Sequence, residues 1–453
     1  MASSALTPVR VLWKRCALER GPQWKRTALE AHQQRSLHRL RRFAAEHSPF
    51  YRRFHHGLEN RPLHELPILT KATLMESFDD VVTDRGLRLT DLEAHLREGT
   101  GRELFRGRYV VLATSGSTGR RGVFLFNEAE WIHALAFIAR PMAWAGLTTG
   151  LRKPPRSAFI ASTTPWHYSA RVSHSLSSRL LPALRLDAAE PLEEMVRRLN
   201  EWQPEVLAAY PSVLKPLAEE QIAGRLHIRL RSVACSAEVL TDETRRRVQQ
   251  AWGIRVYDTY GATEYAPIAA ECASGRKHLL EDGAIIEIVD EKGRPVPAGT
   301  LGDRVLLTVF NRWTQPLIRY EISDMIRPVA GHCECGRTLQ LIERIEGRVE
   351  EVLEFASRSG AQPVPIHPNV FHQALETAPV AGWQVIHEDE CLSIFVTGLR
   401  DASWRDALPR ALADLLERQG ALSPPIRVVP VASLQRGATG KAPLIARQRA
   451  VPR

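Results

Sequence analysis

Residues 114–122 read TSGSTGRRG, a run of small hydroxyl side chains and glycines between two apolar stretches. Glycines allow the backbone to approach a ligand closely, and hydroxyl and backbone N–H groups donate hydrogen bonds to phosphate oxygens. The run lacks the G-x-x-x-x-G-K-[ST] pattern of the common nucleoside-triphosphate loop. It therefore predicts a phosphate-binding loop of another kind, with a flexible surface loop as the alternative.

Cys272, His278, Cys333 and Cys335 have the chemistry of a metal site. Three thiolates and one imidazole form a closed tetrahedral zinc site, which is structural rather than catalytic. The C-x-C pair is tighter than the usual C-x-x-C, and His332 is a second candidate for the imidazole ligand. The alternative is a group of reduced side chains without a metal.

The composition is that of a globular protein with more than one domain. The chain has 453 residues, of which 44% are hydrophobic and 25% charged, and its net charge is +10. This length predicts two or more domains. Acidic residues interrupt nearly every basic run, so the charge indicates a solvated, arginine-rich surface rather than a nucleic-acid-binding face.

No feature of the sequence predicts a membrane span or an export signal. No apolar run approaches the ~18 residues that a transmembrane helix needs, and Arg10, Lys14 and Arg15 interrupt the first apolar stretch. Six cysteines in a chain of this length do not form a disulfide scaffold, so we expect reduced thiols and a cytoplasmic location. The cysteines without a partner pattern are expected to be ordinary thiols: Cys16, Cys235 and Cys391.

The order of apolar and amphipathic segments predicts the elements that carry these residues. Residues 24–57 have a helical pattern, and Thr70 is a candidate N-cap of a further helix. From about residue 108, β-branched runs alternate with amphipathic helices, which predicts a mainly parallel α/β sheet. Near residue 283 the pattern changes to an antiparallel strand pair. We predict a large domain over 1–343 and a small α+β domain over 344–453.

Five motifs in a fixed order identify a resemblance to a known family. Residues 114–122 resemble the phosphate loop of the adenylate-forming superfamily, which contains acyl-CoA synthetases, luciferases and nonribosomal-peptide adenylation domains. The other four motifs follow with similar spacing: YDTYGATE (257–264), RYEISD (319–324), RIEGRVEEV (344–352) and ATGK (438–441). SPFYRRF, LPILTKATL and CECGR resemble phenylacetate–CoA ligase and CapK-type adenylyltransferases. The resemblance implies a multi-layer α/β adenylation domain with a mobile C-terminal lid domain.

The resemblance assigns roles to individual residues. Glu264 would hold Mg²⁺ as a hard oxygen ligand, and Lys441 would carry positive charge to the reacting phosphate from the mobile domain. Arg319 would lie near the phosphates or the hinge. The remaining residues would bind ATP, with Tyr260 stacking on adenine and Asp324 accepting hydrogen bonds from ribose; they are Thr114, Ser115, Gly116, Ser117, Thr118, Gly119, Ser236, Ala237, Glu238, Asp258, Tyr260, Gly261, Thr263 and Asp324.

The acid-binding residues are expected in TTPWHYSARVSHS (163–175) and AAYPSVL (208–214). Trp166 and His167 would form walls for a flat or aromatic acid, Arg171 would pair with a polar substituent, and Tyr210 would add a further wall. Core and loop residues without substrate contact are the alternative.

The resemblance implies an AMP-forming ligase that adenylates a carboxylic acid with ATP and Mg²⁺ and transfers the acyl group to CoA. An amine or a carrier-protein thiol is the alternative acceptor, because the segment after the hinge departs from phenylacetate–CoA ligase. A nucleotide-binding homologue without turnover is a further alternative, as is a basic nucleic-acid-binding protein, for which we find no motif. We expect no nucleic-acid or membrane partner, and a monomer or a homodimer.

Overall fold

The structure is a computed structural model. It describes residues 7–19, 23–100, 103–114, 121–144, 154–176, 182–348, 351–358, 360, 362–366, 368–375, 378–380, 382–388, 391–436 and 444–447. Among these residues, none of the helices combines the length and the apolar character needed to cross a bilayer.

The N-terminal region is helical. Its helices are α1 (Thr7–Leu18), α2 (Arg26–His47), α3 (Pro49–Phe54), α4 (Lys71–Glu76), α5 (Phe78–Val81) and α6 (Leu89–Glu98). The predicted helical segment 24–57 is divided at Ser48, which caps α3 by accepting a hydrogen bond from the backbone of Tyr51. Proline at the first position of α3 cannot continue the preceding helix. The predicted cap at Thr70 is confirmed, since its hydroxyl accepts from Thr73 N at 3.1 Å.

A short hairpin and a long helix follow. The hairpin strands β1 (Val110–Ala113) and β2 (Val123–Phe126) are antiparallel and fully buried, with Ala113 opposite Val123. The next helix is α7 (Glu128–Trp144). Asn127 and Glu130 cap it reciprocally, because each side chain accepts a hydrogen bond from the other residue's backbone N–H. These two hydrogen bonds hold the connection between the hairpin and α7 at residue 127.

A nine-stranded sheet is the centre of the molecule, in the order β13-β14-β9-β8-β7-β6-β5-β3-β4. One half is parallel and the other antiparallel, with the change between β7 and β8. The parallel strands are β3 (Ser157–Ala161), β4 (Ala183–Asp187), β5 (Val206–Ala209), β6 (Ser232–Ser236) and β7 (Val256–Tyr260). The antiparallel strands are β8 (Ala269–Glu271), β9 (Lys277–Leu279), β13 (Asp324–Val329) and β14 (Leu341–Arg348). The predicted α/β sheet is confirmed, but it is parallel only between β4 and β7 and not mainly parallel.

Helices connect the parallel strands: α8 (Tyr168–Ser175), α9 (Leu192–Trp202), α10 (Pro211–Ile222) and α11 (Asp242–Trp252). The hydroxyl of Thr241 caps α11 by accepting from Thr244 N. Gly253 ends α11 in the left-handed conformation with φ 70°, which a residue without a Cβ adopts at little cost. Both boundaries were expected from the sequence.

The predicted antiparallel unit is present as a separate three-stranded sheet. Its strands are β10 (Ala284–Val289), β11 (Arg304–Val309) and β12 (Tyr320–Ile322). Because β12 is followed by β13 after one residue, this sheet delivers the RYEISD segment to the edge of the central sheet.

The C-terminal segment has its own sheets and its own apolar core. A two-stranded sheet contains β15 (Leu353–Phe355) and β16 (Val364–Ile366). A four-stranded sheet contains β17 (Gly382–His387), β18 (Leu392–Thr397), β19 (Ile426–Pro430) and β20 (Ile445–Arg447). The helices are α12 (Pro368–Leu375) and α13 (Trp404–Arg418). The buried residues of this core all lie from Leu353 onward. The domain boundary after residue 343 stays a prediction.

Candidate active site

The TSGSTGRRG segment is the connection of the β1–β2 hairpin. Thr114 closes its base with two hydrogen bonds: its N–H donates to Gly122 O at 2.9 Å, and its hydroxyl accepts from Gly122 N at 2.8 Å. Directly before Gly122, the Arg121 guanidinium lies 4.2 Å from the centre of the Trp166 ring. Residues 115–119, the predicted phosphate cradle, lie outside the described residues, as does Lys441.

The YGATE segment leaves the end of β7 in a tight turn. The Ala262 N–H donates to Tyr265 O at 3.1 Å. A Cβ at Gly261 would lie 2.9 Å from the Cβ of Ala266, so this position needs glycine. Thr263 is half-buried, and Glu264 is buried beside it. The turn thus holds Glu264 at the junction between the parallel and antiparallel halves of the sheet.

The YGATE and RYEISD segments are joined by two reciprocal hydrogen bonds. The hydroxyl of Tyr260 donates to Asp324 Oδ2 at 2.6 Å, and the hydroxyl of Tyr320 donates to Glu264 Oε1 at 2.9 Å. Burial, and then the neighbouring Glu264 carboxylate, raise the pKa of Tyr320, so its phenol stays a donor. Each segment therefore positions the carboxylate of the other.

Arg319, which was expected near the phosphates or the hinge, is bound by other parts of the protein. Its guanidinium is 3% exposed, and it donates to the backbone carbonyls of His64, Leu66 and Gly293 and to both carboxylate oxygens of Glu287. These five bonds use all five N–H donors of arginine. The contacts favour a structural role, and a contact with phosphate stays a prediction.

The residues predicted to surround the acid lie around the hairpin base. Trp166 O accepts from Ala113 N at 3.1 Å, which places the backbone of Trp166 beside β1. The His167 Nδ1 lies 2.8 Å from the hydroxyl of Ser169. Tyr210 shares this network through Ser169 and accepts from the backbone of Ser162. Burial raises the pKa of Tyr210, so it is a neutral phenol. Trp166, His167 and Tyr210 are thus brought into one region.

Arg171 is tied to the segment that leads into the hairpin. It lies on α8, is 4% exposed and donates from Nη2 to Glu103 O at 3.1 Å. Burial lowers the pKa of Arg171, and Glu103 opposes this shift. Pairing with a substrate substituent stays a prediction.

The predicted adenine-side residues follow β6. Ser236 and Ala237 are exposed, and Ala237 has a positive φ of 73°, which turns the chain sharply after the strand. The carboxylate of Glu238 accepts from Ser212 N at 2.9 Å.

Asp258 lies deeper in the sheet, on β7. It is 7% exposed, and its carboxylate is paired with the ammonium of Lys277 on β9. A nucleotide contact through Asp258 stays a prediction.

A pocket opens on Glu264 from the side of α7. Its walls come from β2, α7, α8, the YGATE turn and the end of β11: Phe126, Glu130, His133, Ala134, Phe137, Tyr168, Glu264, Tyr265, Ala266, Val309, Asn311 and Arg312. Among these residues only Glu264 was predicted individually, and Tyr168 lies within the predicted acid-binding segment 163–175. The available signal was NRWTQPLIRY (311–320), where polar side chains directly precede a recognised motif.

Buried hydrogen bonds fix the polar wall of this pocket. Glu130 Oε1 accepts from the backbone N–H groups of Trp313 and Thr314 at 2.6 and 2.7 Å. The Asn311 side-chain amide lies 3.1 Å from His133 Nε2. Burial lowers the pKa of His133 to about 4, so the ring is neutral and accepts this bond. The segment 311–314 is therefore held firmly against α7.

The four predicted metal ligands converge, although they come from two separate hairpins. Cys272 Sγ lies 3.6 Å from Cys333 Sγ, and Cys335 Sγ lies 3.4 Å from His278 Nε2. All four ligand atoms lie within 4.8 Å of one another. Tetrahedral zinc with bonds of ~2.3 Å needs separations of about 3.8 Å, so the set fits the ion. Among the described residues His332 is not part of this group.

The sheet explains why these ligands meet. His278 on β9 pairs with Leu341 at the start of β14, which places the β13–β14 loop beside the β8–β9 hairpin. The His278 Nδ1 lies 3.3 Å from Leu339 O and donates to it, which leaves Nε2 directed at the thiols.

The chain is similar in sequence to several known proteins. Residues 108–306 match the family model described as "AMP-binding enzyme". The chain is 27% identical to the phenylacetate-coenzyme A ligase of Thermus thermophilus over 348 residues, and this alignment covers 72% of each protein. It is 22% identical over 270 residues to the protein CapK of Staphylococcus aureus, which covers 58% of this chain and 54% of CapK.

The fold is shared with solved structures of acyl-CoA ligases. A crystal structure of 2-hydroxyisobutyryl-CoA ligase, in the postadenylation state with an acyl-AMP, superposes with a TM-score of 0.72 and 21% identity. The match covers 95% of this chain and 92% of that protein. The chain therefore carries an AMP-binding domain on the fold of the adenylate-forming enzymes, and it is a homologue of phenylacetate-CoA ligase and CapK.

Proposed function

We propose that this protein is an AMP-forming acid–CoA ligase. In the first step a carboxylate oxygen of the acid attacks the α-phosphorus of ATP. The bond from that phosphorus to the β-phosphate breaks, which yields acyl-AMP and pyrophosphate. In the second step the sulfur of CoA attacks the acyl carbon, AMP departs, and the thiol proton is released.

The observation that carries this proposal is the pair of reciprocal bonds between Tyr260 and Asp324 and between Tyr320 and Glu264. A magnesium ligand and a ribose acceptor must be held at fixed separation, because adenylation depends on positioning the phosphates and neutralising their charge. Two buried phenols that each hold the other segment's carboxylate meet this requirement.

The remaining roles follow from where the described residues lie. Thr114 closes the base of the hairpin whose loop would hold the departing pyrophosphate. Glu264 would bind Mg²⁺ through an oxygen, and the ion would neutralise phosphate charge during adenylation. The pocket beside Glu264 would hold the acid. Lys441 would contribute its charge during adenylation only, if the C-terminal segment rotates about a hinge near residue 350 between the two steps.

We further propose that Cys272, His278, Cys333 and Cys335 hold a structural Zn²⁺. The fit of their ligand atoms to tetrahedral separations and the orientation of His278 by Leu339 O support it. The ion would fasten the β8–β9 turn to the β13–β14 loop.

Acid-dependent ATP–pyrophosphate exchange tests the first step. A panel of aryl, alkyl and amino acids is screened with wild-type protein and with Glu264→Gln, which keeps the size of the side chain but removes its charge. Exchange with at least one acid, lost in the variant, is the expected result. If no acid in a broad panel supports exchange, the adenylation step is wrong.

The acceptor is tested separately, because a carrier-protein thiol or an amine is the second candidate. CoA consumption is measured beside amine and carrier-protein acylation, with the acid that gives the fastest exchange. Thioester formation with CoA is the expected result, and acylation of another acceptor without CoA turnover would contradict the CoA assignment alone.

A further inference from the structure

Arg312 is a buried cation whose hydrogen bonds are incomplete. Arg312 is only 2% exposed, and its Cζ lies 3.8 Å from the centre of the Phe126 ring. Nη2 donates to Gln315 Oε1 at 3.1 Å. Within the part of the chain that the structure describes, the buried Nε and Nη1 have no acceptor. Buried donors without partners are rare because they have lost water and gained nothing in exchange.

Two other buried arginines of this chain are supplied with carboxylates. Arg140 is fully buried, and its Nη1 and Nη2 lie 2.5 and 2.9 Å from the two carboxylate oxygens of Asp282. Arg319 bonds to both carboxylate oxygens of Glu287 and to three backbone carbonyls. In the described residues no carboxylate bonds to Arg312. Arg140 Nε also lacks an acceptor among these residues, so Arg312 differs from these two arginines in having no carboxylate partner and in lining the pocket beside Glu264.

The guanidinium remains a cation in this setting. Burial lowers the pKa of Arg312 to about 10, while the nearby Glu130 and Glu264 carboxylates oppose that shift. The group is thus charged at neutral pH, and among the described residues it makes no hydrogen bond to either carboxylate.

The pocket has one polar wall and several aromatic walls. Arg312 and Asn311 are on the polar wall, and Phe126, Phe137 and Tyr168 form the aromatic walls. A ligand held between them would meet donor groups on one side and apolar surface on the others. A hydrocarbon chain alone would leave the donors of Arg312 unpaired.

We propose that Arg312 determines acid specificity, and that the substrate carries a second oxygen acceptor besides the carboxylate that is adenylated. The substrate class is a short acid with an additional carboxylate, hydroxyl or carbonyl oxygen, which binds the Arg312 guanidinium. This assignment rests on the proposed function, in which Glu264 marks the reacting end of the pocket. Sites that donate hydrogen bonds to a substrate reject analogues that lack the acceptor, because the buried donors are then left unpaired.

Binding of matched acids tests the proposal without turnover. Isothermal titration calorimetry is run on the full chain with Mg²⁺ and the non-reacting analogue α,β-methylene-ATP. The probes are butyrate against 3-hydroxybutyrate and succinate, and phenylacetate against 4-hydroxyphenylacetate. We expect at least one oxygenated acid to bind about tenfold or more tightly than its hydrocarbon match. The succinate and hydroxy-acid arms distinguish an anionic from a neutral acceptor.

Variants assign the preference to Arg312. Arg312→Met should remove the preference while the affinity for the ATP analogue stays unchanged. Arg312→Lys should keep a reduced preference for succinate, and it replaces the methionine variant if that one does not fold. Arg140→Met is the matched control, since it removes another buried arginine and should lower the melting temperature without changing the preference.

Several outcomes would overturn the proposal. The proposal is wrong if the wild-type protein binds none of the probes or binds matched acids equally. It is also wrong if the preference for oxygenated acids survives in Arg312→Met. Pyrophosphate exchange with a hydrocarbon acid but no oxygen preference would overturn this proposal and leave the proposed function standing. A preference for oxygenated acids without pyrophosphate exchange for any acid would overturn the proposed function and leave this proposal standing.

Discussion

The hydroxyl of Tyr320 donates a 2.9 Å hydrogen bond to Oε1 of Glu264, which connects two segments 56 residues apart in the chain. Tyr320 also packs edge-on against Phe124 of β2, with ring centres 6.0 Å apart. One side chain of β12 therefore links the phosphate hairpin and the YGATE turn. Removing its hydroxyl should affect the site more than the fold.

Tyr320→Phe should lower the rate of acid-dependent pyrophosphate exchange about tenfold and raise the Mg²⁺ concentration needed for half-maximal rate. The reason is that Glu264 loses a donor that orients it, and a bond of this kind contributes about 1–1.5 kcal/mol. Tyr51→Phe is the control, because that buried phenol bonds only to the backbone at Pro316 and Ile318 among the contacts described here. Equal exchange rates in the two variants would contradict a positioning role for Tyr320.

Asp324→Asn should weaken binding of the ATP analogue by about tenfold, because its carboxylate is predicted to accept from the ribose hydroxyls. Calorimetry with 2′-deoxy- and 3′-deoxy-ATP separates this role from a general disturbance. Wild-type protein should lose affinity for the deoxy nucleotides, and Asp324→Asn should lose much less. Asp290→Asn, in an exposed turn with Arg294, should resemble wild type. If the deoxy penalty is the same in Asp324→Asn, the ribose contact is absent.

Lys441→Ala should abolish pyrophosphate exchange while binding of the ATP analogue is retained. An ammonium that neutralises charge only in the transition state contributes to the rate and not to ground-state affinity. Lys292→Ala removes an exposed lysine and should leave both quantities unchanged. An Lys441→Ala protein with normal exchange would remove this residue from its assigned role.

Protein purified without a polyhistidine tag should contain one zinc per chain by elemental analysis. Cys333→Ser and Cys335→Ser should lose the metal, and a strong chelator should lower the melting temperature of the wild type but not of these variants. Cys391→Ser changes a buried cysteine outside the cluster and should keep the metal. Zinc-free wild-type protein with an unchanged melting temperature would contradict the site.

The stability of the protein should fall in acid partly through His55. Burial, and then the nearby Arg41, lower the pKa of His55 from 6.5 to about 4 in the folded protein. Between these values the unfolded chain binds a proton that the folded chain does not. The contribution is therefore complete above pH 6.5, and on the order of 3 kcal/mol is lost as the pH falls to about 4.

Chemical denaturation between pH 7 and pH 4 measures this loss. His55→Phe should flatten the dependence of the free energy of unfolding on pH, since the unfolded variant has no imidazole to protonate at that position. His56→Phe changes the exposed neighbour and should keep the wild-type slope. Identical slopes in both variants would show that His55 does not contribute.

The sequence by itself determined the local structure and the order of the motifs. Thr70 and Thr241 cap helices where a hydroxyl precedes an amphipathic run, and Gly253 ends α11, because these signals act within a few residues of the chain. The same local patterning indicated the antiparallel pair near residue 283, and Gly261 lies in a motif that needs close backbone approach.

Only the tertiary structure decided which of these residues meet. Tyr260 and Asp324 are 64 residues apart and come into contact although β7 and β13 are not neighbours in the sheet. Cys272 and Cys333 meet because β9 pairs with β14, which brings their two hairpins side by side. The sequence shows the types of these residues, but pairing between distant strands depends on the whole sheet.

Arg319 and Arg312 show the same limit from the other direction. Both are arginines near one motif, and nothing local distinguishes them. Packing gives Arg319 five protein acceptors. Two donor nitrogens of Arg312, Nε and Nη1, have no acceptor among the described residues. Whether a buried charge serves the fold or a ligand depends on which acceptors the folded chain brings to it, and that is a property of the tertiary structure.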